Sequence, residues 1–284
     1  MKSPTWTSQD APAFYRPKGA DWFRVALRGA LIFAMILIGL VVLIPVRFVE
    51  RLFTGKKRPV SGWIPVWVCR GALAALGLGR ETQGQRRRNA SIIVSNHLSW
   101  LDIFVLNAQA PLIFVAKADV AGWPWIGILA QATGTIFIKR DRREAKAQKT
   151  LLADYLKSHQ TILFFPEGTS SDGQRVLPFK SALFEALFGA GQPDNHIVQP
   201  VTLNYAAPQG EDARFYGWWG DMTFASHALG MLAFAPHGHV QLVWHPALAL
   251  RDHPDRKAIA LAAETAVRDA LTQLETVPMS ADPS

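Results

Sequence analysis

The chain has 284 residues, of which 49% are hydrophobic, and a formal net charge of +8 at pH 7. This length fits one large domain with a small appendage better than two domains. No zinc-finger spacing or RNP-like aromatic motif accompanies the positive charge, so we expect no nucleic-acid partner. The single cysteine, Cys69, excludes an intrachain disulfide framework and favours a reducing compartment.

The N-terminal region is typical of a membrane anchor. Residues 29–46 form an uncharged apolar run long enough for a membrane helix, and residues 62–79 form a second, aromatic-containing run. Because cations lie on both sides of the first run, we expect a helical hairpin that enters one leaflet of an anionic membrane, with a single span as the alternative. These cations are Arg24, Arg28, Arg47, Arg51, Lys56, Lys57 and Arg58. A signal peptide is disfavoured because the run starts late and no small-residue cleavage site follows.

Short apolar runs alternate with helical patterns in the rest of the chain. The runs predict strands at 91–95, 112–116, 134–138, 161–165, 197–204 and 239–244. Helical patterns cover residues 142–159, 180–187 and 254–274. We therefore expect an α/β fold, with a central mostly parallel or mixed sheet flanked by helices, preceded by an N-terminal membrane-embedded helical hairpin. Residues 1–80 are assigned to the tail and anchoring helices, and residues 81–284 to the α/β domain.

Two polar blocks each follow a predicted buried strand. The block at 96–102 reads NHLSWLD, and the block at 165–171 reads FPEGTSS. Such strand ends are where α/β proteins usually carry their chemistry. His97 is the candidate base, and Asp102 is the candidate partner that orients its ring and stabilises the imidazolium. Five helical residues turn the chain by about 140°, so His97 must precede the helix for the two side chains to meet.

Taken alone, each block also has a purely structural interpretation. Ser99 followed by Asp102 three residues later is a capping-box pattern, which would make the aspartate a helix cap. Glu167 and Gly168 can form a turn after a buried strand, because glycine supplies backbone freedom. His237 and His239 lack the spaced partners of a zinc site, so no metal is expected.

Four blocks together resemble the glycerolipid acyltransferase family, typified by lysophosphatidic acid acyltransferases. They are His97 with Asp102, GTIFIKR at 134–140, FPEGT at 165–169 and IVQPV at 197–201, so the resemblance covers roughly residues 75 to 250. It implies that His97 deprotonates an acceptor hydroxyl, which then attacks a thioester of acyl carrier protein or coenzyme A. No cofactor is implied besides this acyl donor.

The resemblance also implies roles for further residues. Glu167, Gly168 and Thr169 would position the lysolipid acceptor, and Arg140 would contact its headgroup, for which the guanidinium fork is suited. Weaker candidates for binding the anionic acyl carrier are Lys117 and Lys180. The supporting residues of the motifs are Asn96, Ser99 and Ser170.

Within this family, the stretches at 170–181 and 218–222 look most like the lyso-ornithine lipid O-acyltransferases, which acylate the hydroxyl of a 3-hydroxy fatty acyl chain. Lysophosphatidic acid enzymes usually carry an arginine where this chain has Ser170, so the resemblance implies lyso-ornithine lipid as acceptor, with lysophosphatidic acid as the alternative. The enzyme would lie at the inner (cytoplasmic) membrane with its catalytic domain facing the cytoplasm. A non-catalytic lipid-binding or membrane-tethering protein is the alternative of another class; it would be expected to lose His97, Asp102 or Glu167.

Overall fold

The computed structural model describes residues 6–7, 12–123, 125–139, 145–158, 160–188 and 195–276. The strands are β1 (Gly79–Gln83), β2 (Ile92–Ser95), β3 (Ile113–Lys117), β4 (Ile136–Ile138), β5 (Ile162–Phe164), β6 (Ile197–Ala206), β7 (His239–Trp244) and β8 (Leu248–Ala249). The α-helices are α1 (Asp21–Thr54), α2 (Trp63–Leu76), α3 (Leu101–Asn107), α4 (Ile126–Thr133), α5 (Ala145–Lys157), α6 (Phe224–Ala233) and α7 (Arg256–Thr276).

The strands form one mixed sheet in the order β1-β7-β6-β2-β5-β3-β4, with β8 beside β6. Strands β6, β2, β5, β3 and β4 are mutually parallel, whereas β7 runs antiparallel to β6 and β1 runs parallel to β7. The predicted α/β class is therefore confirmed. All six predicted strands are present, because each is an apolar run that the sheet buries.

Two strands and two helices were not predicted. β1 reads GRETQ and is exposed along its whole length, and β8 has two residues, so neither carries a hydrophobic pattern. Helices α4 and α6 are short, and such short apolar segments give no reliable period. The helix that the sequence places after His97 is present as α3. The region at 180–187 contains a 3-10 helix, Ser181–Leu187. Since β1 begins at Gly79, the boundary drawn after residue 80 falls inside a strand.

The sheet separates two hydrophobic cores. Alternation along β2 sends Ile93 to the core that contains α2 and α3, and sends Ile92 and Val94 to the core that contains α5 and α7. β5 repeats this arrangement, with Leu163 on the first side and Phe164 on the second. Residues of α2 thus belong to the core of the α/β domain, although the sequence assigns them to the anchor.

The N-terminal helices form a hairpin whose turn is fixed by a buried carboxylate. Glu50 accepts hydrogen bonds from the backbone N–H of Val60 at 2.7 Å and of Ser61 at 3.2 Å. Helix α1 has 34 residues, and its 18-residue apolar window has a mean hydropathy of 2.9 with 11% of the window buried. By length and composition α1 could cross a membrane, whereas α2 is about 21 Å long and shorter than a hydrocarbon core of about 30 Å.

Several cations of the N-terminal hairpin region bind helix ends inside the protein. Arg24 donates to the carbonyl of Ala233, and Arg28 donates to those of Leu232 and Phe234, at the C-terminus of α6. In the same way, Arg58 binds the last carbonyl of α4, and Arg70 binds the carbonyl that follows α3. Cations are favourable at these positions because helix C-termini present unsatisfied carbonyls and partial negative charge. The expectation that the basic residues as a group serve an anionic membrane is thus too broad.

At Gly39, α1 and α2 approach each other closely, because a Cβ there would lie 2.6 Å from Cγ2 of Val68. We expect Gly39→Ala to lower the free energy of unfolding by about 1–2 kcal/mol, since overpacking costs about 1–3 kcal/mol and the helix preference of alanine returns up to about 1 kcal/mol. Thermal unfolding in detergent measures the change. Adding Val68→Ala should restore stability, and Gly122→Ala, where no atom lies within 4 Å, is the control. Equal effects of Gly39→Ala and Gly122→Ala would contradict the close approach.

Candidate active site

The two polar blocks meet because their strands are parallel neighbours. β2 pairs with β5 in the register Ile92↔Ile162 and Val94↔Phe164, so the chain leaves both strands at the same edge. The backbone N–H of His97 donates to Oε1 of Glu167 at 2.7 Å, and the N–H of Ser171 donates to the carbonyl of His97 at 2.9 Å. These two hydrogen bonds directly join the loops after β2 and β5, although the bonded residues are at least 70 positions apart in the sequence.

His97 lies in the loop before α3, where the sequence requires it for contact with Asp102. Its Nδ1 is 2.8 Å from Oδ2 of Asp102, and its side chain is 19% exposed. The imidazole stacks on Phe165, with ring centroids 4.0 Å apart and planes 13° apart. An ionised carboxylate only accepts hydrogen bonds, so this contact assigns the proton to Nδ1 and leaves the lone pair on Nε2.

Asp102 also ties the preceding loop to the first turn of the helix on which it lies, whose N-cap is Trp100 rather than the predicted Ser99. Its Oδ2 accepts hydrogen bonds from the backbone N–H of Leu98 at 2.8 Å and of Ser99 at 3.0 Å. The back-contact from Asp102 to Ser99 is half of the predicted capping box. The two sequence interpretations of this segment are therefore not alternatives, because one buried carboxylate holds both the helix start and the imidazole.

Two contacts from β6 support this loop. The hydroxyl of Tyr205 donates to Oδ1 of Asp102 at 2.9 Å. The amide of Asn96 donates to the carbonyl of Leu203 and accepts from its N–H, both at 2.8 Å, and so continues the pairing of β2 with β6 through a side chain. The supporting role predicted for Asn96 is thus structural, and Tyr205 was not predicted at all. A buried tyrosine hydroxyl needs a partner, which is the signal that could have identified it.

Glu167 binds backbone within the protein, which differs from the expected direct contact with the acceptor. It is 1% exposed, and its oxygens accept from the N–H of His97 and, at 2.9 Å, from that of Leu177. Both oxygens are thereby occupied in tying the loop after β5 to the loop after β2. Burial raises the pKa of Glu167 to about 8, against the opposing effect of the hydrogen bonds from Leu177 and His97.

The rest of the third block forms a turn at the same edge. Gly168 closes it with a hydrogen bond from its N–H to the carbonyl of Phe165 at 3.0 Å and has a φ of 72°, which favours glycine. Thr169 and Ser170 follow, both half-buried. This turn therefore carries the residues predicted to position the acceptor beside His97.

Of the three cations predicted to bind substrates, the two lysines differ in how close they lie to the loop after β5. Lys180 is exposed, and its backbone N–H donates to the carbonyl of Pro166 at 3.0 Å, which places it beside the third block. Lys117 ends β3, which is separated from β2 by β5, so it lies farther along the same edge. Arg140 lies outside the described residues, and its role stays a prediction.

The region between β6 and β7 supports the His97 loop from a third side. The N–H of Trp218 donates to the carbonyl of Leu98 at 2.7 Å. The indole of Trp100 donates to Nδ1 of His227 at 2.9 Å, and burial lowers the pKa of His227 to about 4, so its ring is neutral and can accept. Sequence reasoning singled out 218–222 by resemblance but missed this backbone contact and His227.

Replacing Glu167 tests its role in joining the two loops. In Glu167→Gln, one of the two backbone N–H groups loses its acceptor, so we expect a loss of about 1–3 kcal/mol of unfolding free energy near pH 5. The folded-state pKa is raised above the unfolded value, so this group's contribution to wild-type stability declines as pH rises from about 4.5 to about 8. The difference between variant and wild type should therefore narrow toward pH 8.

Denaturation in detergent at several pH values measures this difference. The exposed Glu81→Gln serves as control and should match the wild type throughout. A Glu167→Gln protein as stable as the wild type near pH 5 would contradict the proposed role of Glu167 in joining the two loops.

Comparison with known proteins identifies the family. Residues 80–204 match the Acyltransferase family. The chain is 47% identical over 273 residues to a lyso-ornithine lipid O-acyltransferase of Rhodobacter capsulatus, covering 96% of this chain and 99% of that protein. It is also 40% identical over 163 residues to a 1-acyl-sn-glycerol-3-phosphate acyltransferase of Neisseria gonorrhoeae, covering 54% of this chain and 62% of that protein.

A solved structure supports the fold. The crystal structure of the 1-acyl-sn-glycerophosphate (LPA) acyltransferase PlsC from Thermotoga maritima superposes with a TM-score of 0.62 at 20% sequence identity, covering 92% of this chain and all of that chain. The likeness extends over nearly the whole chain and thus includes the mixed sheet and the helices around it. With the full-length similarity to the Rhodobacter protein, the conclusion is that the chain belongs to the acyltransferase family and is an acyltransferase.

Proposed function

We propose that this enzyme transfers a fatty acyl group from a thioester of acyl carrier protein or coenzyme A to the hydroxyl of lyso-ornithine lipid, giving ornithine lipid. The observation that supports the chemistry is the 2.8 Å contact between His97 and Asp102, because such a contact orients an imidazole for the role of general base. The observation that supports lyso-ornithine lipid as the acceptor is the similarity of nearly the whole chain to the lyso-ornithine lipid O-acyltransferase of Rhodobacter capsulatus.

In the proposed reaction, Nε2 of His97 accepts the proton of the acceptor hydroxyl as its oxygen attacks the thioester carbonyl. The new C–O ester bond forms, the C–S bond breaks, and His97 passes the proton to the departing thiolate. Asp102 stabilises the imidazolium that exists between these two steps. The substrate supplies the nucleophile, so neither an acyl-enzyme nor a metal or redox cofactor enters the proposal.

Ser170 favours an acceptor without a phosphate group. It follows Thr169 in the turn after β5, where the resemblance places an arginine in lysophosphatidic acid enzymes. A serine lacks the charge and the planar fork that bind phosphate strongly. Lysophosphatidic acid is the second candidate acceptor, because the Neisseria relative is 40% identical over the part that carries the motifs.

The apolar helix α1 and the lipid-metabolic relatives indicate association with a membrane. We place the enzyme at the inner membrane, with the catalytic domain facing the cytoplasm. Near the start of α1, Arg28 binds the end of α6, and shortly after the end of α1, Arg58 binds the end of α4. Because the hairpin is held to the domain on both sides of the apolar run, these contacts support its insertion into one leaflet. Exposed Arg51 and Lys57 are then suited to anionic headgroups.

Removing the base should remove turnover without unfolding the enzyme. We expect His97→Ala to lower kcat by about 10²- to 10⁴-fold, the usual contribution of general-base catalysis. Asp102→Asn should lower it as well, because an amide facing Nδ1 cannot stabilise the imidazolium. His253→Ala, in the turn before α7, is the matched control. Transfer rates in detergent and circular dichroism measure activity and folding; a folded His97→Ala enzyme with wild-type turnover would refute the assignment.

The acceptor is tested by offering lyso-ornithine lipid and lysophosphatidic acid separately, each with labelled acyl–acyl carrier protein and with acyl-coenzyme A. We expect conversion of lyso-ornithine lipid only, and we expect Ser170→Arg to raise conversion of lysophosphatidic acid by adding a phosphate-binding cation. If the wild type converts lysophosphatidic acid alone, lysophosphatidic acid replaces lyso-ornithine lipid as the assigned acceptor. Conversion of neither would favour a lipid-binding or tethering protein.

A further inference from the structure

Tyr205 is a buried side chain that the proposed reaction does not use. It lies near the end of β6, where it pairs with Val240 of β7, and its ring belongs to the same core as Leu203 and Leu101. Its hydroxyl reaches across this core to Oδ1 of Asp102 at 2.9 Å. The sheet and the first turn of α3 are therefore joined at the catalytic aspartate.

We propose that Tyr205 is a positioning residue for proton transfer, whose hydroxyl fixes the Asp102 carboxylate against His97 and moderates the negative charge that His97 experiences. The inference rests on the proposed role of His97 as base. It assigns Tyr205 no contact with either substrate.

The sources of the hydrogen bonds to Asp102 show why the tyrosine matters. Oδ2 accepts from His97, Leu98 and Ser99, which all belong to one short loop and move with it. Oδ1 accepts from Tyr205, which is 103 residues away in sequence and belongs to the sheet. Within the described parts of the chain, this hydrogen bond is the one that connects the Asp102 carboxylate directly to a strand of the sheet.

The environment keeps Tyr205 a donor. Burial, with the nearby Asp102 carboxylate, raises the pKa of Tyr205 well above its usual value, so its hydroxyl stays protonated across the working range of the enzyme. Its ring lies against that of Tyr216, with centroids 5.4 Å apart. The hydroxyl of Tyr216 in turn accepts from the N–H of Gly238 at 2.8 Å and lies 3.1 Å from Nδ1 of His237.

The ionisable groups around the dyad come from several elements. Glu167, in the turn after β5, binds the backbone of His97. Asp172, in the loop that follows, lines a small cavity with Leu98, Tyr205 and Tyr216. The N-terminal end of α3 contributes Asp102 itself. A pH profile of activity alone would therefore combine several titrations, and His97 must be observed directly.

Tyr205→Phe tests the proposal, because it removes the hydroxyl and keeps the ring. A carboxylate that loses a donor stabilises the imidazolium more, so the acid limb of kcat/KM should move to higher pH by about half to one unit. At a pH on that limb, kcat/KM should fall about three- to tenfold. Tyr216→Phe is the matched control, because it removes a hydroxyl from the same cluster without touching Asp102.

The titration of His97 is measured independently by NMR of ¹³C-labelled histidine in the full-length protein in detergent, with the His97 signal assigned by its loss in His97→Ala. The proposal expects the midpoint of this signal to rise in Tyr205→Phe and to stay in Tyr216→Phe. An unchanged midpoint in Tyr205→Phe, or an equal shift in both variants, overturns it. If the NMR midpoint rises while the acid limb stays, the Tyr205 contact stands, and the role of His97 as base, not the positioning of Asp102, has failed.

Discussion

The arrangement of the site depends on the burial of one carboxylate. Asp102 is fully buried, and an uncompensated charge there would cost several kcal/mol. Four hydrogen bonds compensate it, from the ring of His97, from two backbone N–H groups of the same loop and from Tyr205. The loop, the start of α3 and the end of β6 must therefore all be in place before the charge is satisfied. The position of His97 therefore depends on the packing of the core around Asp102.

A second buried acidic side chain, Glu167, acts on the other side of the histidine. Asp102 binds the ring N–H of His97, while Glu167 binds its backbone N–H. Phe165, immediately before the Glu167 turn, stacks on the ring and limits its rotation. His97 is thus held through both its ring and its main chain, with Nε2 as the atom that the proposed reaction uses. Such preorganisation lowers the cost of bringing an acceptor hydroxyl and a thioester together.

Arginines of the hairpin region connect the N-terminal anchor to helices of the α/β domain. A basic N-terminal region would ordinarily indicate contact with anionic lipid. In the folded protein, Arg28, Arg58 and Arg70 instead neutralise the C-terminal ends of α6, α4 and α3. The first turn of α3 carries Asp102, so the anchor holds an element of the candidate active site. The hairpin and the sheet edge that carries His97 are therefore joined through these helix ends.

The sequence by itself determined the fold class, six of the strands and the His97–Asp102 pair, because buried strands and motif spacing are local properties that the chain displays directly. It also predicted that His97 precedes its helix. Only the tertiary structure decided that β1 and β8 are strands, since these depend on pairing with β7 and β6 rather than on their own residues. It likewise decided that Glu167 binds backbone and that Tyr205 reaches Asp102, because both contacts join segments 70 to 103 residues apart, whose meeting is fixed by the strand order of the sheet.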